Sequence, residues 1–338
     1  MGYINDYNGN LVFTHNDLSS AGNRLPANIM HVFNSSSRNS DIGYGNGWRL
    51  NLNQKVSGPL TFTDGKYYSH IDEDGTTHYY KYDSVSNTYK NTEGLDTTLQ
   101  VNADSTITDK QNNTLKFNTS GYLSTIKDNN GNIETLNYSG TILKSVTDGA
   151  VRISTLDTDT SGRLKGVIDS SNRRTSYEYT GNLLTSISYP DGKQTIYSYN
   201  SSNNMVSATN YDGYKVTYSY NTVAPYRIRK AAESNSDGAA GSELNIAYGY
   251  NMTSFTDAIG RKNIYQFNNS GNTVSIKDGE NSAEYYKYGS SSNKLLSNSK
   301  SERTVINYLK NGNAESNADW IPFINFYLWR KCSKFVYL

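Results

Sequence analysis

Few residues in this sequence are spaced as a metal site or a catalytic site would require. His70 and His78 flank Asp72-Glu73-Asp74, and these are residue types that bind zinc. The separation of the two histidines matches no common zinc spacing. Glu73-Asp74-Gly75 also lies between two tyrosine-rich stretches, which is typical of a hairpin turn. We therefore predict a turn here, and no metal site.

Two further candidates are weaker. Asp128–Asn132 is similar to part of a calcium loop, but Gly131 is its fourth residue, whereas an EF-hand has glycine at position six. Cys332 would need a neighbouring histidine to act as a nucleophile, and all four histidines lie in the first quarter of the chain. A carboxylate pair for glycoside hydrolysis stays open, although every acidic cluster we can place lies in a turn. We predict no catalytic residue, no cofactor and no metal, and therefore a protein that is not an enzyme.

Tyrosine is the one residue type whose pattern suggests a binding chemistry. The chain has 30 Tyr, 9 Phe and 3 Trp, and many of the rings occur in pairs spaced two residues apart. In a strand this period places both rings on one face. Exposed rings in a row could stack on sugars, whereas buried rings would only hold the sheet together through cross-strand pairs. The candidate sugar-stacking residues are Tyr177, Tyr179, Tyr197, Tyr199, Tyr218 and Tyr220.

Composition and charge exclude several classes of protein. The net charge is +1, from 32 basic and 31 acidic residues, so no strong field attracts nucleic acid or anionic lipid. No apolar stretch is long enough for a membrane span. The first residues do not form a signal peptide, so we expect either a cytoplasmic chain or an export signal encoded upstream.

A repeat sets the positions of these residues. Aspartates recur at intervals of 20, 21, 22 and 21 residues, and such a period is typical of a repeat architecture. The aspartates are Asp128, Asp148, Asp169, Asp191 and Asp212. One unit reads as a strand at Ile264–Phe267, a turn at Asn268–Gly271 and a second strand at Thr273–Ile276. We therefore predict an all-β array of about ten hairpins of about 21 residues each.

The second strand of each hairpin carries apolar residues three positions apart, such as Leu123 and Ile126, or Leu143 and Val146. In a flat strand this spacing puts the two side chains on opposite faces. Either both faces are partly covered, or a β-bulge bends the strand. The sequence leaves both possibilities open.

Several segments resemble the YD repeats of the Rhs and wall-associated protein families, over roughly residues 1–310. The repeat segments are Arg174–Tyr179, Leu183–Ile187 and Asp257–Arg261, and the lead-in segments are Asp6–Phe13 and Gly43–Asn51. The resemblance implies a sheet wound in a spiral as part of a hollow shell that encapsulates or displays other domains, in bacterial members often a toxin for competing cells. It also implies a secreted or cell-wall-associated protein. The alternative is a carbohydrate-binding or adhesive cell-wall module that uses the tyrosine ladders.

The resemblance also suggests how the chain is organised. We predict a β lead-in at 1–60, the repeat array at 61–310 with a mobile loop insertion at about 224–243, and a truncated following domain or aberrant tail at 311–338. Shells of this family end in an Asp-Pro-x-Gly motif, and this chain has no Asp-Pro dipeptide. We therefore expect a partial shell with open edges, whose encapsulated C-terminal domain is absent from this chain. Possible partners are that domain and cell-wall carbohydrate.

Overall fold

The computed structural model describes residues 2–280, 282–290, 292–301 and 336–337, and these residues are almost entirely β-strand. A small sheet, here called the N-terminal sheet, has the strand order β29-β1-β2-β3-β4. Its strands are β1 (Gly2–Ile4), β2 (Leu11–Ser19), β3 (Asn28–Asn34), β4 (Trp48–Leu50) and β29 (Val336–Tyr337). A short 3₁₀ helix, Ser35–Ser37, follows β3. The prediction of an all-β fold is confirmed.

The remaining 24 strands form one antiparallel sheet, here called the repeat sheet, in which each strand pairs with the next along the chain. They are β5 (Lys55–Phe62), β6 (Gly65–Ile71), β7 (Thr77–Asp83), β8 (Thr88–Asn91), β9 (Thr97–Val101), β10 (Ser105–Asp109), β11 (Thr114–Phe117), β12 (Leu123–Lys127), β13 (Ile133–Ser139), β14 (Ile142–Thr147), β15 (Ile153–Thr158), β16 (Leu164–Ile168), β17 (Arg174–Thr180), β18 (Leu183–Ser188), β19 (Gln194–Tyr199), β20 (Met205–Thr209), β21 (Lys215–Tyr220), β22 (Ile228–Ser234), β23 (Ala240–Gly249), β24 (Met252–Asp257), β25 (Lys262–Phe267), β26 (Thr273–Lys277), β27 (Ala283–Tyr288) and β28 (Leu295–Ser301). Within the described residues no strand register joins β28 back to β5, so the sheet is open, as predicted.

The regular aspartates are turn residues. The Asp169 carboxylate accepts hydrogen bonds from the backbone amides of Ser171 at 2.8 Å and Arg173 at 2.9 Å, and so closes the turn between β16 and β17. Asn172 in this turn has φ +65°, a conformation that asparagine tolerates better than most residues. The same pair of amide bonds recurs at Asp72, Asp109, Asn118, Asp128, Asp148, Asp159, Asn200, Asn210, Asp257, Asn268 and Asp278.

A β-bulge explains the apolar residues spaced three apart. In the β17–β18 hairpin Glu178 pairs with Ser186 and Tyr179 pairs with Leu184, so Thr185 has no partner. The extra residue turns Leu184 and Ile187 to the same face, where both are fully buried. The same register shift recurs in seven other hairpins of the repeat sheet. Of the two possibilities left open by the sequence, the bulge is present, and it bends the sheet.

The bent sheet curls around the N-terminal sheet. Phe13 and Trp48 pack edge-on or tilted against Tyr197, with ring centroids 5.9 and 4.9 Å apart. At one end of the repeat sheet Tyr3 donates a hydrogen bond to Asp74, and towards the other end Tyr7 packs against Phe267. Side chains of both sheets therefore share one hydrophobic core, in which the N-terminal sheet fills the concave side of the repeat sheet.

The repeat sheet also touches itself where it winds round. The amide of Val56, in β5, donates to the carbonyl of Gly121 at 2.9 Å, and the amide of Leu123 donates to the carbonyl of Gln54 at 3.1 Å. Near the other end Asn293, in the β27–β28 turn, donates to the carbonyl of Thr92 at 3.1 Å. These contacts join hairpins far apart in sequence, and the predicted curved spiral sheet is confirmed.

The predicted loop at 224–243 is wrong for most of its length. The extra residues lengthen a hairpin, because β22 and β23 pair as far as Ser234 and Ala240, and only residues 235–239 form the turn. Ala231 is fully buried in the core. The composition of this stretch, a run of small residues, does not reveal that burial. The repeat sheet begins at Lys55, within the segment that we assigned to the lead-in. The predicted tail at 311–338 lies outside the described residues, apart from β29.

Candidate functional site at the seam between the two sheets

The six tyrosines proposed for sugar stacking all lie on the concave side of the repeat sheet. Of the two alternatives left open by the sequence, buried rings are the ones observed, because the N-terminal sheet covers them. Four are almost fully buried, with exposed fractions of 1% for Tyr177, 2% for Tyr197, 5% for Tyr218 and 9% for Tyr220, and Tyr179 and Tyr199 are half-buried. Sugar binding itself stays a prediction, and it would require the N-terminal sheet to leave.

The hydroxyl groups of several concave-side tyrosines bind backbone carbonyls of neighbouring hairpins. Tyr199 donates to the carbonyl of Leu184 at 2.6 Å and accepts from the indole nitrogen of Trp48 at 2.8 Å. Tyr220 donates to the carbonyl of Met205 at 2.7 Å, and Tyr248 makes the equivalent bond further along the sheet. Burial raises the pKa of these phenols, so they remain neutral donors. This geometry supports the reading in which the ladders hold the sheet together.

A buried carboxylate lies at the centre of the seam. Asp17, on β2, accepts a bond from Nδ1 of His15 at 2.7 Å, another from Nδ1 of His31, and a third from the hydroxyl of Tyr177 at 2.8 Å. His15 also bonds the hydroxyl of Tyr189, the residue that follows β18. The network therefore joins two strands of the N-terminal sheet to the repeat sheet through hydrogen bonds to one charge.

The charge on Asp17 is stabilised by its partners. Burial alone would raise the pKa of this carboxyl, but the nearby His31 and the bonds from both histidines outweigh burial and lower the pKa to about 2. A buried ion that keeps its charge needs such partners, because desolvation costs several kcal/mol per ion. All of the polar atoms of this network are turned inward, so the arrangement is suited to joining the two sheets rather than to meeting a substrate.

The histidines near Asp72 form a polar cluster rather than a metal site. His78 bonds Asp72 through Nε2 at 2.9 Å and Glu93 through Nδ1 at 2.5 Å, so both ring nitrogens are already bonded. Burial would lower the pKa of His78, but the bonds to these two carboxylates raise it to about 10. His70 bonds Gln54 instead. In the described part of the chain no cluster of three or more His, Cys, Asp or Glu could hold a metal ion.

Two of the other candidates from the sequence, at Asp128 and at Asp72, lie in hairpin turns. Asp128 closes a turn, with its carboxylate bonded to the amides of Asn130 and Asn132 and to the side chain of Asn132 at 2.7 Å. The turn predicted at Glu73–Gly75 connects β6 and β7, and Asp72 closes it with the amide bonds described above. Cys332 lies outside the described residues.

Besides Asp17, sequence reasoning missed the buried acid Glu134 on β13. Its side chain is 4% exposed and its Oε1 atom has no hydrogen-bond partner within the described residues. Burial, and secondarily the charge of Asp148, raise the pKa of Glu134 to about 7. A signal existed in the sequence, because Glu134 is in phase with the buried Leu136 two residues later and is therefore on the concave face.

Two parts of the chain match known protein families. Residues 2–80 match a domain of unknown function, DUF6531, and residues 159–194 and 180–213 match the RHS Repeat family. No curated protein matches the chain. Among the described residues, no helix has the length and apolar character needed to cross a membrane.

Solved structures of toxin complexes are similar in part. The Tc holotoxin pore of Photorhabdus luminescens aligns with 86% of this chain and 18% of its own, at 10% identity and a TM-score of 0.40. The crystal structure of TcdB2-TccC3 aligns with 86% of this chain and 19% of its own, at 10% identity and a TM-score of 0.41. The chain therefore spans less than a fifth of the length of either protein.

The matched repeats and the hairpin geometry agree. Residues 159–213 span β16–β20, and in them the turn aspartates, the bulges and the inward-facing tyrosines follow the same pattern as in the hairpins on either side. The repeat recognised at these residues thus extends through the wound sheet. The chain therefore contains repeats that match the RHS Repeat family at residues 159–213, within a sheet whose neighbouring hairpins share their geometry.

Proposed function

We propose that this chain is a non-enzymatic wall segment of a bacterial Rhs-type shell that encapsulates or displays another domain of its protein. The observation that carries the proposal is the one-sided character of the repeat sheet. Leu184, Ile187 and Tyr197 face the concave side with exposed fractions of 0 to 2%, while Glu178 and Ser198 on the same hairpins face outwards and are exposed. A wall needs an inner face that can bind protein and an outer face compatible with water.

The concave face already binds a protein segment, the N-terminal sheet. Its contacts run from Asp74 to Phe267, and they include ring packing, hydrogen bonds and the buried charge of Asp17. The N-terminal sheet thus supports the proposal, because it demonstrates that the inner face accepts folded β-structure. The same face, continued by further hairpins, would surround a cargo domain in the same manner.

The resemblance to the Rhs family also suggests the cargo and the location of the protein. We propose that the cargo is a toxin delivered to competing cells, and that the protein is secreted or attached to the cell wall. The rival role, carbohydrate binding by the tyrosine ladders, is disfavoured because the N-terminal sheet covers the rings.

Limited proteolysis of the longest natural form of the protein tests the proposal. A domain enclosed by the shell should be digested at least about tenfold more slowly inside the whole protein than when it is expressed alone, because local opening must precede cleavage. Equal digestion rates in the two forms, with the repeat sheet folded in both, would rule out encapsulation. Hydrolysis of a substrate by the purified chain, lost on substitution of a single residue, would contradict the non-enzymatic role.

A further inference from the structure

A cavity of about 770 Å³ lies beside the seam, where the N-terminal sheet and the hairpin turns do not meet. Its walls come from the segment between β3 and β4, the starts of β5 and β7, and the turns of three hairpins of the repeat sheet. Residues that line it include Trp48, Arg49, Lys55, Tyr122 and Thr141. This volume is within the range of small-molecule sites, roughly 300–1,000 Å³.

The charges on the cavity wall are unbalanced. Among the described residues, no carboxylate lies within 4.0 Å of the cationic groups of Arg49 or Lys55. Asp72 and Asp74 attract the charge of Arg49 electrostatically, without forming an ion pair with it. The one acidic residue in the wall, Asp41, is already bonded to Arg163 at 2.8 Å and to the amides of two glycines. Two cations without ion-pair partners therefore face one neutralised carboxylate.

Both cations are held in place. The ammonium group of Lys55 lies over the ring of Tyr122, 4.8 Å from its centroid, and the guanidinium of Arg49 donates to the carbonyl of Asn53. Burial lowers the pKa of Arg49, because it destabilises the charged form of the guanidinium. An anion that entered the cavity would offset that destabilisation with charge-assisted hydrogen bonds, which are the stronger kind.

We propose that this cavity binds a small molecule that carries a carboxylate, with Lys55 and Arg49 as the residues that neutralise its charge. The carboxylate could belong to an acidic sugar or to an acidic peptide of two or three units, since either fits the volume. Thr141, exposed at the β13–β14 turn, lies at the wall without contributing charge. This site is independent of the shell role, because it uses neither the buried ladder nor the cargo.

The test is calorimetric titration of the folded full chain with trigalacturonate, with triglutamate and with neutral galactotriose. We expect one or both acidic probes to bind and galactotriose to bind at least about tenfold more weakly, a difference of about 1.4 kcal/mol. Binding of trigalacturonate alone would assign a sugar acid, of triglutamate alone an acidic peptide, and of both the carboxylate itself. Binding of neither acidic probe at about 10 mM, or equal binding of galactotriose, would overturn the proposal.

Three variants locate the binding site. Lys55→Gln should weaken binding of the acidic probe at least tenfold, and Thr141→Tyr should block it by filling the cavity from an exposed turn position. Lys66→Gln is the matched control, because Lys66 is exposed and outside the cavity. Near-UV circular dichroism confirms that each variant is folded. An unchanged affinity in folded Lys55→Gln and Thr141→Tyr would place the ligand elsewhere and refute the site.

Discussion

The buried acid Glu134 makes the stability of this protein depend on pH near neutrality, and Glu134→Gln should remove that dependence. The substitution keeps the shape of the side chain and removes its ability to ionise. Glu134 is 4% exposed, on the concave face of β13, with Asp148 as its acidic neighbour. The ionised form therefore has neither water nor a positive partner to stabilise it.

The magnitude follows from the two pKa values. An unfolded glutamate ionises near 4.5, whereas burial, with a smaller contribution from Asp148, raises the pKa of Glu134 in the folded chain to about 7. Between these values the unfolded state has lost its proton and the folded state retains it, so ionisation favours unfolding. The contribution of Glu134 to the free energy of unfolding should thus be fully present below pH 4.5 and should be lost, by on the order of 3 kcal/mol, as pH rises through 7, since each pKa unit corresponds to about 1.4 kcal/mol.

Urea denaturation of both proteins from pH 4.5 to pH 8.5 measures this effect. The difference in unfolding free energy between Glu134→Gln and wild type should increase in favour of the variant by on the order of 3 kcal/mol across this range. Glu178→Gln is the control, because Glu178 is an exposed glutamate on the outer face, and it should follow the wild-type profile. A Glu134→Gln profile parallel to wild type would refute the assignment of a buried, protonated Glu134.

Three further predictions concern the turn, the winding and the seam. Asp169→Ala should lower the unfolding free energy by about 1–2 kcal/mol, because the turn loses two hydrogen bonds from backbone amides. Asp169→Asn should lower it by less than about 0.5 kcal/mol, because asparagine closes the equivalent turns elsewhere. Urea denaturation distinguishes the two variants. Gly121→Ala should lower the unfolding free energy by at least about 2 kcal/mol more than Gly131→Ala. Both glycines have φ above +80°, but a Cβ at Gly121 would lie 2.2 Å from the Val56 carbonyl oxygen, whereas one at Gly131 would meet no atom within 4 Å. Equal melting curves for the two variants would contradict the winding contact. Asp17→Asn should destabilise the chain by about 3–5 kcal/mol at pH 7, and it should reduce the loss of stability that wild type shows as pH falls from about 4 towards 2, to which other aspartates of lowered pKa, such as Asp83, also contribute; an acid titration followed by circular dichroism tests both parts.

Much of the fold could be predicted from the sequence because its signals are local. The aspartate period predicts the turns, since an Asp or Asn side chain bonds amides two and four residues ahead without help from the rest of the chain. The spacing of two residues between Tyr177 and Tyr179 predicts that both rings lie on one face of the sheet. The Leu-x-x-Ile spacing narrows the second strand to two geometries, and the bulge at Thr185 is the one adopted.

The candidate site was harder to predict because burial depends on the other sheet. Nothing in the local pattern of Tyr197 tells whether solvent or Trp48 lies above its ring, since Trp48 is distant in sequence. For the same reason the pairing of Asp17 with Tyr177 could not be foreseen. The stretch around Ala231 was misjudged because small residues favour loops by composition, whereas pairing with β21 and β23 makes it a strand.

The central claim is that the N-terminal sheet fills the concave side of the repeat sheet. Maleimide labelling of two single-cysteine variants, made in a Cys332→Ser background, tests it most directly. Ala208→Cys lies on the concave side opposite Tyr197 and is 4% exposed, whereas Ser198→Cys lies one residue away from that ring on the exposed outer face. We predict labelling at least about a hundredfold slower at position 208, and faster labelling there when Trp48→Ala loosens the seam. Equal labelling rates at the two positions in folded protein would contradict the account.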